Sequence, residues 1–235
     1  MIPIRDNIPT DRPPVLTLAL IAANCAVYFL LQNGLLGLPQ EGQGGTWNVP
    51  QYAAIPCELT GQGACRVASG GPIDALTVLT AMFMHGSILH LGGNMLFLWI
   101  FGNNIEDAMG RARYLIFYVL GGVAAFAAQA LIDPSSAVPT IGASGAVAAV
   151  LGGYLLTYPR ARVATVIVII FFFTIFELPA VVVLGFWFVQ QVAFGYFDLT
   201  APGGEAGGVA YFAHIGGFVF GMALIRVFAT RAKAV

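Results

Sequence analysis

Charge is what this sequence has least of. Lys, Arg, Asp and Glu make up 9% of its 235 residues, where a water-soluble domain carries about 25%, and an ordinary soluble globular domain is thereby excluded. Basic residues nowhere form a run, and the net charge is −1. Nothing here can track a phosphate backbone, so nucleic acid is excluded as a partner. What fills the space is apolar: 58% of residues are hydrophobic and the mean hydropathy is +0.83. That composition predicts an all-α polytopic membrane protein whose principal surroundings are the lipid bilayer.

Residues 1–14 are polar, carry Arg5 and Arg12, and are expected to form a cytoplasmic N-terminal segment. The apolar run Val15 to Leu31 suits a bilayer crossing of about 20 residues better than a signal peptide, which has a shorter core. It is read as a retained first helix, with Cys25 as inert packing. Further spans are expected at about 87–105, 112–132, 142–158, 178–196 and 209–229, giving six. The membrane domain is thus 15–229, with an outer loop 34–86 between helices 1 and 2 and a cytoplasmic tail 230–235. One apolar run, Val163 to Phe176, is too short to cross.

Charge placement decides how that short run is treated. With the N-terminus inside, six spans put Arg5, Arg12, Arg111, Arg113, Arg160, Arg162, Arg226, Arg231 and Lys233 on the cytoplasmic side and only Arg66 outside. This obeys the positive-inside bias, which a seventh span would break. Segment 163–176 is therefore expected on the cytoplasmic side, packed on protein or lying in the interface, bounded by Pro159 and Pro179. Glu106, Asp107, Arg111 and Arg113 are expected to form an inner-face network orienting the third helix. The outer loop would lie in an oxidising compartment that permits a Cys57–Cys65 disulfide; two unpaired loop cysteines are the alternative. The placement suggested is the plasma (inner) membrane of a prokaryote, both termini cytoplasmic.

The chemistry centres on Gly142-Ala143-Ser144-Gly145, a hydroxyl between glycines at the mouth of an apolar segment. Small residues there also suit close helix packing, with Ser144 bonded to a carbonyl. As a nucleophile, Ser144 would have unpaired N–H groups and the positive end of a helix dipole beside it. Imidazoles inside a membrane are costly and point to function. His214 falls about 7–8 Å into the sixth span, at 1.5 Å per residue. His90 enters the second span from the same side and shares a helix face with Asn94. All fall in one outer layer with Ser144. No acidic residue lies within a span near that layer, which favours a Ser–His dyad, with His214 as general base and His90, Asn94 and the Ser144 backbone N–H as oxyanion donors. His85, at a loop edge, is expected to be solvated or structural.

G-A-S-G at 142–145, H-x-x-x-N at 90–94 and A-H-x-G-G at 213–217 resemble, in this order, the rhomboid family of intramembrane serine proteases. The likeness runs from about Thr80 to Arg226 and includes T-A-M-F-M-H-G and G-N-N-I-E-D-A-M-G-R. The resemblance implies a six-transmembrane-helix rhomboid-like bundle with Ser144 as nucleophile and His214 as base. It further implies single-span membrane proteins as substrates, cut near the outer face, with no metal and no cofactor, and a lateral gate bordered by the fifth span. Two departures stand out. Leu76-Thr77 replaces a Trp-Arg common before the second helix, and Ala148 replaces an aromatic that would stack on the histidine, for which Tyr211 or Phe212 are candidate substitutes. A non-catalytic relative that binds and escorts membrane helices is the alternative. A transporter or channel would need buried charges along a path, and the spans carry almost none.

Overall fold

The computed structural model describes residues 1–33, 49–63, 65, 74–169, 172–200 and 209–231. Much of the expected outer loop, with Arg66, and the tail beyond Arg231 lie outside the described residues. The chain begins with β1 (Ile2–Asp6) and α1 (Val15–Ala26), which runs on as a π-helical stretch, Val27–Gln32. Short helices α2 (Val49–Tyr52) and α3 (Pro56–Thr60) precede α4 (Asp74–Ala81). Next, α5 (Ile88–Phe97) continues through π-helical Leu98–Gly102 into α6 (Asn103–Met109), followed by α7 (Arg111–Ile132) and α8 (Ser144–Thr157). β2 (Arg162–Ile169) and β3 (Phe172–Pro179) lead into α9 (Ala180–Thr200) and α10 (Tyr211–Phe228).

Among the described residues four helical segments are long and apolar enough to cross a membrane: Val15–Gln32, Arg111–Ile132, Ala180–Thr200 and Tyr211–Phe228; Ser144–Thr157 is apolar but shorter. The protein is therefore a mostly helical membrane protein. Its centre is α8, buried without a break from Gly145 to Tyr154. A helix apolar on every side has no solvent face to choose, and this one is enclosed by its neighbours.

Small residues set how closely those neighbours come. A Cβ added at Gly217 would collide with the carbonyl of Gly145, one at Gly221 with that of Ala149, and one at Gly152 with that of Phe218. Without side chains at these points, the backbones of α8 and α10 touch at three places, and dispersion contacts replace the hydrophobic drive that lipid does not supply.

Segment 163–176 corrects the all-α expectation. It folds as an antiparallel hairpin, with Thr165 opposite Phe176 and Val166 opposite Ile175. β1 adds to it antiparallel, Ile2 facing Val166, giving the order β1-β2-β3 with an irregularity between Pro3 and Arg5. The cause is local: R-V-A-T-V-I-V-I and F-F-T-I-F-E-L-P are rich in β-branched and aromatic side chains, which fit a pleated surface. Pairing within the sheet also satisfies backbone groups that lipid would not satisfy. The N-terminal segment is thus partly a strand.

Two polar clusters join the sheet to the helices. Asp6 accepts from Asn104 Nδ2 and from the Tyr154 hydroxyl. Burial raises its carboxyl above the ordinary 3.8, partly offset by the Tyr154 hydrogen bond. Glu106 accepts from the backbone N–H of Leu16 at 3.0 Å and of Thr17 at 2.7 Å, and from the Thr17 hydroxyl at 2.8 Å. Arg111 Nε stands 3.9 Å away, and Asp107 accepts from the Asp11 N–H at 2.8 Å. The acidic network therefore grips the entry to the first helix as well as touching the start of the third through Arg111, while Arg113 is exposed. On the other side, Cys57 and Cys65 are disulfide-bonded with Cα atoms 5.8 Å apart. The stretch around Cys57 holds the segment leading into α8: Thr140 N–H donates to Ala54 O at 2.8 Å, and Cys57 N–H to Ser136 O at 3.0 Å.

Candidate active site

Ser144 opens α8. The turn before it is fixed by Gly142, whose φ of +116 suits glycine alone and whose N–H donates to Ala81 O at 2.9 Å. The first N–H groups of a helix have no partner within it, so the Ser144 hydroxyl stands beside backbone donors and the positive dipole end.

Ser144 and His214 meet. His214 sits in the first turn of α10, and its Nε2 lies 2.8 Å from Ser144 Oγ. The other ring nitrogen, Nδ1, lies 2.8 Å from Gln191 Oε1 on α9. Trp187, one turn earlier on α9, places its ring 5.8 Å from the imidazole at 38°.

His90 and Asn94 approach from α5, whose first turn is capped by Ser87 Oγ accepting from the His90 N–H at 3.1 Å. Both border Gly142: a Cβ there would lie 2.7 Å from His90 Nε2 and 3.6 Å from Asn94 Nδ2. Asn94 Nδ2 is buried and has no hydrogen-bond partner among the described residues, and a buried donor without one costs about 1–3 kcal/mol. His90, Asn94, Ser144, Trp187 and His214 all line one cavity of about 880 Å³. The arrangement can accept a carbonyl between a hydroxyl–imidazole pair and a set of unpaired N–H donors.

Of the two expectations for His85, solvated or structural, burial rules out the first. It is 1% exposed, and burial, with the nearby His90, pushes its imidazole down to about 4. A neutral ring can then accept from Ala143 N–H, at 3.5 Å, while Gln32 holds its backbone from both sides, accepting at 3.0 Å and donating at 3.2 Å. Among the described residues no group of His, Cys, Asp or Glu is arranged to hold a metal.

A rhomboid-domain family model matches residues 73–231, about two thirds of the sequence and every residue of the cavity just described apart from Ala54 and Pro56. The chain belongs to the rhomboid family. Similar rhomboid proteins include Rhomboid protein 1, mitochondrial, of Saccharomyces cerevisiae, 27% identical over 158 residues, covering 63% of this chain and 40% of that protein. Presenilin-associated rhomboid-like protein A, mitochondrial, of Danio rerio is 28% identical over 152 residues, 63% of this chain and 36% of that one. Rhomboid protease GluP of Bacillus subtilis is 30% identical over 143 residues, 60% of this chain and 24% of that one. The matched region therefore spans two fifths or less of these relatives' own length.

Within this rhomboid domain a ring approaches the imidazole from another helix, α9, and not from position 148. At Ala148 the two helices α8 and α10 pack closely, a Cβ on Gly217 lying 3.3 Å from the Ala148 Cβ. Trp187 faces the imidazole instead, while Tyr211, one of the expected substitutes, pairs with Phe194 at 5.8 Å. Neither Trp187 nor Gln191 was singled out by sequence reasoning. A signal existed: Gln190-Gln191 are amides in the middle of an otherwise apolar span, and an amide oxygen can accept from an imidazole as a carboxylate does.

Proposed function

We propose that this rhomboid is an intramembrane serine endopeptidase acting through a Ser144–His214 dyad. The observation that carries the reading is the 2.8 Å contact between Ser144 Oγ and His214 Nε2 inside a membrane domain. Ser144 Oγ attacks a peptide carbonyl carbon as Nε2 takes its proton. The oxyanion so formed accepts from His90, from Asn94 Nδ2 and from the Ser144 backbone N–H. Collapse breaks the C–N bond, the leaving amine takes the proton from His214, and an acyl ester on Ser144 remains. Water, deprotonated by the same imidazole, then releases the acid and restores the hydroxyl.

Single-span membrane proteins are the substrate class that fits a site reached from within the bilayer. The membrane domain in this reading is 15–229, a bundle of six crossings in which the helical run from Ile88 to Met109 and the short α8 supply the two that length alone does not count. Segment 1–14 and the tail 230–235 lie on the cytoplasmic side with the basic residues, and the site faces the outer side. A prokaryotic plasma membrane draws no support from relatives several of which are mitochondrial, so what we carry forward is the orientation. The rival reading is a catalytically inactive, helix-binding relative. It has in its favour that several relatives' names mention no protease, and against it that both reacting side chains are present and in contact.

The test is covalent. A fluorophosphonate reagent should label the wild type and not Ser144→Ala, and the wild type alone should cleave members of a panel of tagged single-span proteins. Equal labelling of both would remove Ser144 from the chemistry; labelling and cleavage by neither would favour the inactive relative.

A further inference from the structure

We propose that Gln191 is a positioning residue for His214: its amide oxygen fixes the imidazole in the one tautomer that can deprotonate Ser144, and it does so from α9. This rests on the dyad reading above. The ring is held at both nitrogens, Nε2 at 2.8 Å from Ser144 Oγ and Nδ1 at 2.8 Å from Gln191 Oε1. A neutral imidazole has one donor and one acceptor. An amide oxygen only accepts, so Nδ1 must carry the proton and the Nε2 lone pair must face the hydroxyl. The reversed amide would donate to Nδ1, leave an N–H pointing at Ser144 and stop the proton transfer.

A carboxylate would do the same work at a higher desolvation cost, because an ion in apolar surroundings is far more expensive than a hydrogen-bonded amide. Gln191 is 9% exposed, and no carboxylate among the described residues is bonded to His214. The titratable groups facing the same cavity are His90 on α5, Asp133 after α7 and Asp198 further along α9. Trp187 adds a second hold from the same face of α9, one turn away. The rotation of α9 that presents both is set by rings stacked on α10: Phe188 lies 4.6 Å from Phe218 at 20°, and Trp187 5.9 Å from it. The nucleophile is therefore supplied by α8 while the base is oriented by α9, and the dyad is complete only when α9 is seated.

The experiment compares wild type, Q191L and Q191E in detergent, each first shown to unfold cooperatively, by kcat and KM against pH on a tagged single-span substrate. Ring ¹⁵N spectra of histidine-labelled protein are read alongside. Q191L should lower kcat by about 10²-fold, within what a positioned general base supplies, with KM little changed, and its His214 ring should lose the Nδ1–H tautomer. Q191E should recover most of kcat and move the acidic limb of kcat/KM to higher pH, since an acceptor that stabilises imidazolium delays release of the free base. A purely structural glutamine would leave both the limb and the tautomer where they are in the wild type. Wild-type kcat and an unchanged ring spectrum in Q191L would overturn the proposal. If the wild type itself proves inactive, the protease reading fails, and the ring spectra still decide whether Gln191 sets the tautomer.

Discussion

Gly152 of α8 lies directly against the carbonyl oxygen of Phe218 of α10, leaving no space for even a methyl group. Gly152→Ala must push backbone against backbone, and overpacking of this kind costs about 1–3 kcal/mol. Because the same two helices carry Ser144 and His214, fluorophosphonate labelling should fall together with the unfolding temperature. Gly185 on α9 has nothing near its missing Cβ. Gly185→Ala should leave stability unchanged or raise it by up to about 1 kcal/mol; equal losses in the two variants would sink the explanation.

Asn94 Nδ2 is a buried donor with no partner among the described residues. Asn94→Ala should cost turnover, not binding, by up to about 10²–10³ in kcat if it serves an oxyanion. Removing an empty donor should also leave stability level or improve it, by relieving its burial. Steady-state kinetics beside thermal unfolding will check both, and a large stability loss at unchanged kcat would assign Asn94 to packing.

Glu106 supplies the cap that α1 lacks, since Pro14 at its start makes no side-chain hydrogen bond. Glu106→Ala leaves the Leu16 and Thr17 N–H groups and the Thr17 hydroxyl without this acceptor, and each buried orphan costs about 1–3 kcal/mol. Glu106→Gln keeps one acceptor oxygen and should lose less. Hydrogen exchange at the first turn of α1 is the readout, and unchanged protection in the alanine variant would refute the cap.

Asp6 ties the sheet to Tyr154 and Asn104 with a carboxyl raised above 3.8 by burial. The folded state therefore holds this proton more tightly than the unfolded state does. Its contribution to stability is greatest below 3.8 and is lost as pH rises through the folded-state value, beyond which the buried charge is uncompensated. Asp6→Asn cannot ionise, so the gap between its unfolding temperature and that of the wild type should widen in its favour from about pH 4 to about pH 8. Parallel curves would contradict the burial account.

The helical part of this fold was legible because bilayer crossings impose length and hydropathy together. The run expected at 112–132 is Arg111–Ile132, and that at 142–158 is Ser144–Thr157. The hairpin was not, since hydropathy alone does not distinguish a short apolar strand from a short apolar helix; the β-branched alternation of Val163 to Ile169 was the signal to weigh. Ser144, His214, His90 and Asn94 announce themselves as polar groups where polar groups are expensive. Gln191 obeys the same rule, but its signal is weaker, because a neutral amide is a less conspicuous partner for a base than a carboxylate. Trp187 had no sequence signal at all, being one aromatic among many until its ring is seen beside the imidazole of His214.

The sheet has a mechanical consequence for α9. At its Ala180 end the helix is moored twice, Ala180 N–H to Ala161 O at 2.8 Å and Val181 N–H to Pro159 O at 3.0 Å, and β3 runs straight into it. A rod clamped at one tip pivots before it slides, so any displacement of α9 grows with distance from Ala180. Gln191, about 16 Å along at 1.5 Å per residue, would swing several times further than the moorings and further than Trp187, which makes it the first of the imidazole's two holds that a leaning helix would release.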